Sequence, residues 1–387
     1  MLKSFSIRFI GIATTLFLLV ILPEFISNQY IKALLLYITI PINNLFKTDS
    51  ISSDSKEMYQ LLLFILSISV IIALLVALLT NKKSTENEKL NYWLTSFYSY
   101  ILSFFLLVYG FNKLFKVQFF TPEPNTLFTP VGLLSKDILF WTSMGSSYNY
   151  NLFMGIIEII PALLLFFSRT RMLGGLIALA VLINVFMINI GFDISVKILS
   201  TFLIFIALLI LKPYTSSLLS FFFQLKKSQS NNCVKIVSSK KQIMVKNTLI
   251  CFILFDTLSP YFLTNNFNDD KQQRPLFHGA YEIIASESTT NYPIFGNSKK
   301  IKRMFIHRKN YFIVQFQDDS MQDFVMKKDL IKNQFKIYTS HGICTLQVFH
   351  NSFLLTANHK KTLIKSRKIN LKKLPLLNDN FHLVSEI

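Results

Sequence analysis

The stretch Leu61–Leu79, LLLFILSISVIIALLVALL, decides the fold: it runs for nineteen residues without a charged side chain. Such a stretch matches the ~30 Å hydrocarbon core of a bilayer when it is helical. Six further apolar runs flank it. Upstream, Phe5 to Leu22 follows Lys3 and contains Arg8. No small-x-small cleavage site follows it but Leu22-Pro23-Glu24-Phe25, so it reads as a retained anchor. Downstream come Tyr92 to Phe111, Leu152 to Ser168, Met172 to Ile190, Ile194 to Leu211 and Asn247 to Thr264. A shorter apolar stretch, Ala33 to Phe46, is broken by Pro41 and is expected at the interface or packed on the bundle.

Composition agrees with lipid as the solvent. The chain has 387 residues, 51% hydrophobic, with 39 Phe and a mean hydropathy of +0.43. A soluble domain of this size carries more polar surface. The net charge of +19 does not by itself imply nucleic acid, and no nucleic-acid partner is expected. The position of Lys and Arg is more telling. With the N-terminus inside, the inner segments carry Lys3 and Arg8; Lys82, Lys83 and Lys89; Arg169 and Arg171; and seven lysines from Lys212 to Lys246. The outer loops 23–57 and 112–151 carry three lysines each, and the loop after the fifth span none. The positive-inside rule therefore favours N-in, seven spans and C-out. Richness in Phe, Asn and Lys suits a low-GC bacterium, with the chain in the cytoplasmic (inner) membrane and its tail in the periplasm.

The organisation that follows has five parts. Residues 1–90 form the N-terminal spans and outer loop, and 91–224 a transmembrane bundle. Residues 225–246 are a basic cytoplasmic linker, 247–264 the seventh span and 265–387 an extracytoplasmic β-rich domain. That domain shows eight short segments with β-branched or aromatic residues, from Ala280–Ala285 to Thr362–Ile369. Turn-like pairs such as Lys309-Asn310 and Asp318-Asp319 separate them. A small antiparallel barrel or sandwich is expected. From residue 271 on there are 19 Lys/Arg against 8 Asp/Glu, read either as a basic surface for an anionic partner or as a solvated face.

Several redox and metal chemistries lack their ligands. Cys233, Cys251 and Cys344 form no C-x-x-C. The histidines (His278, His307, His341, His350, His359, His382) all follow residue 270, so no span offers an imidazole to haem. No spacing supports a metal site, and no cofactor is evident from motifs.

The middle of the chain carries a series of motifs. Tyr109-Gly110-Phe111-Asn112-Lys113-Leu114-Phe115 leads to Val117-Gln118-Phe119-Phe120, then Trp141-Thr142-Ser143-Met144-Gly145 and Tyr150. Gly155-Ile156-Ile157-Glu158, Arg169-Thr170-Arg171-Met172-Leu173-Gly174, Asn184-Val185, Asn189 and Phe192-Asp193-Ile194-Ser195-Val196-Lys197 follow. Over about residues 109–214 this series resembles the DoxX-like family of bacterial integral membrane proteins, in a long form with a C-terminal extension. The resemblance implies an α-helical transmembrane bundle with a four-helix core plus additional spans, about seven in all. The family takes its name from a membrane subunit of a thiosulfate–quinone oxidoreductase, so the resemblance admits a quinone as cofactor and a redox partner protein. It carries a fold more safely than a substrate.

Ionisable residues at membrane depth cost roughly 2.5–3.5 kcal/mol on insertion scales and face protein or water. The candidate polar site of the bundle is Lys113, Glu158, Asn184, Asn189, Asp193 and Lys197, with Asp256 as a further intramembrane acid. Glu158 shares a stripe with Gly155 and Ala162, where a neighbouring helix can approach closely. It is read as a proton relay, as a donor to a bound carbonyl or as a helix-to-helix tie. Lys113 is expected to snorkel to the interface or to bind. The asparagines read as interhelical ties, or as groups orienting a polar head. Asp193 and Lys197 stand four apart as an ion pair, with Asp193 able to cap the sixth span; alternatively Lys197 binds an anion. Asp256 lies four before Pro260, whose ring removes the helical bond to its carbonyl. It is expected to pair with a lysine or to stand as a tolerated charge.

Three functions compete: a redox-linked quinone-binding subunit working with a partner, a transporter or lipid-handling protein, and a non-catalytic scaffold presenting a basic β domain. Whether the chain is an enzyme is open at this level.

Overall fold

The computed structural model describes residues 2–46, 54–79, 84–223, 239–286, 300–329, 334–340, 342–349, 352–357 and 360–378. Most of the basic linker, Cys233, His341, His350, His359 and His382 lie outside the described residues. In chain order the helices are α1 Leu2–Phe25, α2 Gln29–Phe46, α3 Lys56–Leu79, α4 Ser84–Leu114, α5 Pro124–Leu127, α6 Lys136–Ser146, α7 Tyr148–Leu165, α8 Arg171–Gly191, α9 Lys197–Leu211, α10 Thr215–Phe223 and α11 Lys240–Leu263. The strands are β1 Gly279–Ser286, β2 Ile301–Ile306, β3 Tyr311–Phe316, β4 Met321–Asp329, β5 Gln334–Thr339, β6 Gly342–Phe349, β7 Ser352–Ala357 and β8 Lys360–Lys368. Two compact units result: Met1–Gln118 with Asn151–Asn268, and Phe119–Tyr150 with Asp269–Ile387.

The first unit is a multi-pass membrane bundle. Among the described residues seven helices are long and apolar enough to cross a bilayer: Phe5–Phe25, Lys56–Leu79, Asn87–Leu114, Tyr148–Leu165, Arg171–Gly191, Lys197–Phe221 and Lys240–Leu263. Helix α3 shows how lipid replaces a protein core. It is apolar on every face yet buries only Met58, Leu61, Ile65, Ser69 and Ala73, one stripe at helical spacing. Leu63, Ile71, Leu75 and Leu78 remain exposed. A helix apolar all round with one buried stripe belongs in hydrocarbon. The core gathers Phe17, Leu18, Phe105, Leu165, Phe166, Leu203 and Ile206 from α1, α4, α7, α9 and the turn after α7.

Two boundaries differ from the sequence reading. The seventh helix starts at Lys240, not Asn247. There Ser239 and Gln242 form a reciprocal capping box, with bonds of 3.3 Å and 2.9 Å, that starts the helix inside the basic stretch. Pro41 does not break α2, which runs through it to Phe46. This helix is thinly covered: Tyr30, Leu34, Tyr37 and Leu45 are all exposed.

In the second unit the β domain is a closed antiparallel barrel in the order β1-β2-β3-β4-β5-β6-β7-β8. The tail is thus a barrel and not a sandwich. Alternate residues point inward, so Tyr281, Met304, Phe312, Phe324, Ile337, Leu346, Phe353 and Ile364 fill the interior. An eight-stranded barrel encloses just enough space for such side chains. Hairpins turn at Asn310 (φ 57) and Asp319 (φ 63), residues that tolerate the left-handed conformation.

The loop between the third and fourth spans belongs to this unit, whereas the sequence placed it with the bundle. Phe305 and Ile313 point outward from the barrel and need cover. Phe128, just after α5, supplies it, with its ring 5.9 Å from that of Phe305. Gln315 Nε2 donates to the Phe128 carbonyl at 2.9 Å, and the Arg303 guanidinium lies 4.5 Å from the Phe128 ring centre.

Candidate functional site

Two buried charges of the bundle meet where α4 crosses α7. Gly110 lies three residues before Lys113, and Gly155 three before Glu158, so each glycine shares a helical stripe with a charge. A Cβ on Gly155 would stand 2.8 Å from the Gly110 carbonyl oxygen and 2.9 Å from the Leu114 nitrogen. Only glycine permits that approach, and the approach brings the charges together. Lys113 Nζ donates to Glu158 Oε1 at 2.9 Å and Oε2 at 2.8 Å, with side-chain exposures of 6% and 3%. The Tyr109 ring centre is 5.4 Å from the same ammonium. Further along, Ser103 Oγ donates to the Ala162 carbonyl at 2.8 Å.

Lys113 therefore does not snorkel to the interface. An uncompensated carboxylate in a dry seam costs more than the reach lost by the lysine, so the lysine turns inward. Asp256 also departs from expectation. Among the described residues it takes no lysine, and it is not merely tolerated: Oδ2 accepts the Ser27 N–H at 3.1 Å and Oδ1 the Asn28 N–H at 2.8 Å. Asn28 Oδ1 then accepts from the backbone of Tyr30 and Ile31, both at 3.1 Å, and starts α2. The carbonyl that Pro260 frees at residue 256 is taken by Ser259 Oγ at 3.1 Å. One turn on, Tyr261 donates to Asn112 Oδ1 at 2.8 Å.

The remaining candidates gather at the α8–α9 turn. Asn189 Nδ2 donates to Ser200 Oγ at 3.2 Å, an interhelical tie as expected. Asn184 is exposed on the flank of α8, away from this tie. Lys197 Nζ donates to Asp193 Oδ1 at 2.9 Å, as the spacing predicts. Asp193 does not cap α9. It sits in a left-handed turn (φ 53) and reaches the ammonium instead. The cap is Asp54, which accepts the backbone N–H groups of Lys197 at 2.8 Å and Ile198 at 2.9 Å. Nothing in the local spacing exposed this, because Asp54 precedes α3 and looks like a start signal for that helix. Thus four of the six predicted bundle residues meet as two pairs, Lys113 with Glu158 and Asp193 with Lys197, whereas Asn189 ties to Ser200 and Asn184 is left aside.

Beside Lys197 lies a cavity of about 510 Å³ between α1, α3, α8 and α9. Its walls include Phe17, Leu62, Ile65, Phe202 and Phe205, with Thr14, Tyr59, Lys197 and Thr201 as polar exceptions. Thr14 Oγ1 is also 3.1 Å from the Tyr98 hydroxyl.

The second unit contains a charged hub that the sequence reading did not single out. Glu123, at the start of α5, is bound by the Arg308 guanidinium and by the Arg308 N–H at 3.2 Å. His278 Nε2 lies 3.1 Å and His307 Nε2 3.7 Å from its Oε2. Arg308 also bonds Asp269 at 2.7 Å, and Asp270 accepts the Thr121 N–H at 2.8 Å. Burial opposes ionisation of Glu123, but the His278 hydrogen bond and the Arg308 charge outweigh it and hold the carboxyl at about 2. Burial pushes His307 below the ordinary histidine value. Its flanking Pro122 and Pro124 were the available hint that Glu123 is fixed. Among the described residues no group of three or more His, Cys, Asp or Glu is placed to hold a metal ion.

Comparison with known proteins finds a relative in Bacillus subtilis (strain 168), described as uncharacterized protein YwoB. It is 38% identical over 112 residues, which are 28% of this chain and 70% of the relative. The chain belongs to the YwoB family. The family likeness brings no activity with it, since that description states none. No family model matches the chain, and no solved structure matches it.

Proposed function

We propose that this YwoB-family protein is a non-catalytic membrane scaffold, whose helical unit carries a basic β-barrel unit on the side of the membrane opposite the N-terminus. One observation carries the reading. The carboxylates buried in the bundle are engaged in holding helices, Glu158 through Lys113 and Asp256 through the turn before α2, and Arg8 and Arg171 each reach across to another helix, at Val76 O and Ser96 Oγ. The placement of the barrel has independent support. The loop after the third span and the tail after the seventh belong to one compact unit, and an odd number of spans, three and seven, separates each from the N-terminus. Together with the lysine distribution, this favours a cytoplasmic N-terminus and a periplasmic barrel in a bacterial inner membrane.

The likeness to the DoxX-like family motivates the alternative, a redox-linked subunit with a quinone and a partner protein. It needs Lys113 or Glu158 to reach a ligand, and their mutual bonds make that the less favoured reading. The deciding experiment replaces both members of the pair, Lys113→Met with Glu158→Leu, in a strain whose own copy is deleted. A scaffold keeps its stability and complements the deletion. A stably folded double variant that fails to complement would sink the scaffold reading and restore a chemical role for the pair.

A further inference from the structure

We infer that the helical unit holds one phospholipid with a zwitterionic head, its chain in the cavity between α1, α3, α8 and α9 and its head on Lys197 and Asp193. The cavity, at about 510 Å³, falls in the ~300–1,000 Å³ range of small-molecule sites. Protein interiors tolerate few voids larger than a water molecule, because lining atoms lose contacts on the empty side. Water is a poor filler here, since the walls are almost entirely apolar. Phe205, Leu66 and Ile190 line the cavity yet remain 42%, 37% and 48% exposed, so it opens sideways onto the membrane flank. A hydrocarbon chain entering from the bilayer fits both facts.

The rim selects the head. Asp54 is committed to the first two N–H groups of α9. The Lys197 side chain is 29% exposed and Asp193 is 83% exposed. An ammonium has three donors; Asp193 takes one at 2.9 Å and Asp54 Oδ2 lies 3.7 Å from it, which leaves a third for a ligand. A phosphate oxygen can take another, while an ammonium on the lipid pairs with Asp193. The rim sums to one negative charge over Lys197, Asp54 and Asp193, which disfavours a head of net charge −1. Phosphoethanolamine meets these demands, phosphoglycerol meets one of them, and a quinone ring would use Lys197 alone.

The test is native mass spectrometry of the full chain, released from nanodiscs of equal parts phosphatidylethanolamine and phosphatidylglycerol doped with ubiquinone. One retained phosphatidylethanolamine per chain is expected. Lys197→Met should lower its retention about tenfold, as loss of a charge-assisted hydrogen bond implies. Asp193→Asn should abolish the preference over phosphatidylglycerol. Ala13→Phe, which fills the cavity from α1, should abolish retention of any lipid while the thermal midpoint holds or rises. Equal or better retention of phosphatidylglycerol, stoichiometric ubiquinone, or adducts indifferent to Lys197→Met and Ala13→Phe would each overturn the inference. Retained ubiquinone would also favour the redox-linked reading, whereas every other outcome leaves the Lys113–Glu158 test untouched, so the two claims remain distinguishable.

Discussion

At the scale of single residues, the bundle shows how costly charges become structural. Glu158 and Lys113 are worth more together than apart, because removing one leaves the other buried and unpaired. Glu158→Leu alone should destabilise the protein in mild detergent by about 3–5 kcal/mol, whereas Lys113→Met with Glu158→Leu should lie within about 1 kcal/mol of the parent or above it. Thermal unfolding of the three proteins checks this, and equal losses in the single and double variants would refute it. Asp256 makes a different demand: its partners are backbone N–H groups, which cannot be mutated away. Asp256→Asn retains one acceptor for the two donors of Ser27 and Asn28 and should cost about 1–3 kcal/mol. Cross-linking a cysteine at Ala33 should then report a loosened α2. The sequence made both acids conspicuous by their depth but could not name their partners. Lys113 lies 45 positions from Glu158, and Ser27 lies 229 from Asp256, so neither contact leaves a local spacing.

At the scale of elements, legibility follows the period of the pattern. Span number was readable because an apolar run of membrane length leaves few alternatives, and all seven appear. The β strands were readable because turn residues such as Asn310 and Asp319 punctuate them; closure into a barrel was not, since it depends on β1 meeting β8. The small-residue stripe on α7 was legible as a contact but not as a contact with a particular helix. Gly155 meets α4, while Gly174 packs against the end of its own hairpin partner, with Pro161 O 3.1 Å from a Cβ placed there. Gly155→Ala puts a methyl against two α4 backbone atoms that cannot yield as a side chain would. It should cost about 1–3 kcal/mol, and it should separate Lys113 from Glu158 as the helices part. Gly132→Ala, where a Cβ meets nothing within 4 Å, is the matched control and should be close to neutral. Thermal midpoints measured side by side decide it; equal effects at the two glycines would show that the α4–α7 approach is not what holds the pair.

At the scale of the whole molecule, the second unit is assembled from two stretches of chain, and Glu123 is the hub at which they join. This gives the unit a predictable response to acid. The Glu123 carboxyl is held at about 2 against an ordinary 4.5, so its contribution is fully present above 4.5 and is lost as pH falls from there toward 2. With the side chain only 6% exposed, that contribution is on the order of 3 kcal/mol. His307 acts in the same direction but earlier. Its folded value lies below the ordinary 6.5, so the unfolded chain binds the proton more readily and stability begins to fall once pH drops under 6.5. Acid should therefore release the loop around α5 from the barrel in two stages. Limited proteolysis at Thr129–Leu134, followed from pH 8 to pH 3, should show faster cleavage first below 6.5 and then more steeply below 4.5. Glu123→Gln should cleave faster at pH 7 and lose the second stage, and His307→Phe should lose the first. A loop whose cleavage rate stays flat across that range, or a Glu123→Gln variant that retains both stages, would show that the junction is held by the Phe128 packing on Phe305 and not by the charged hub.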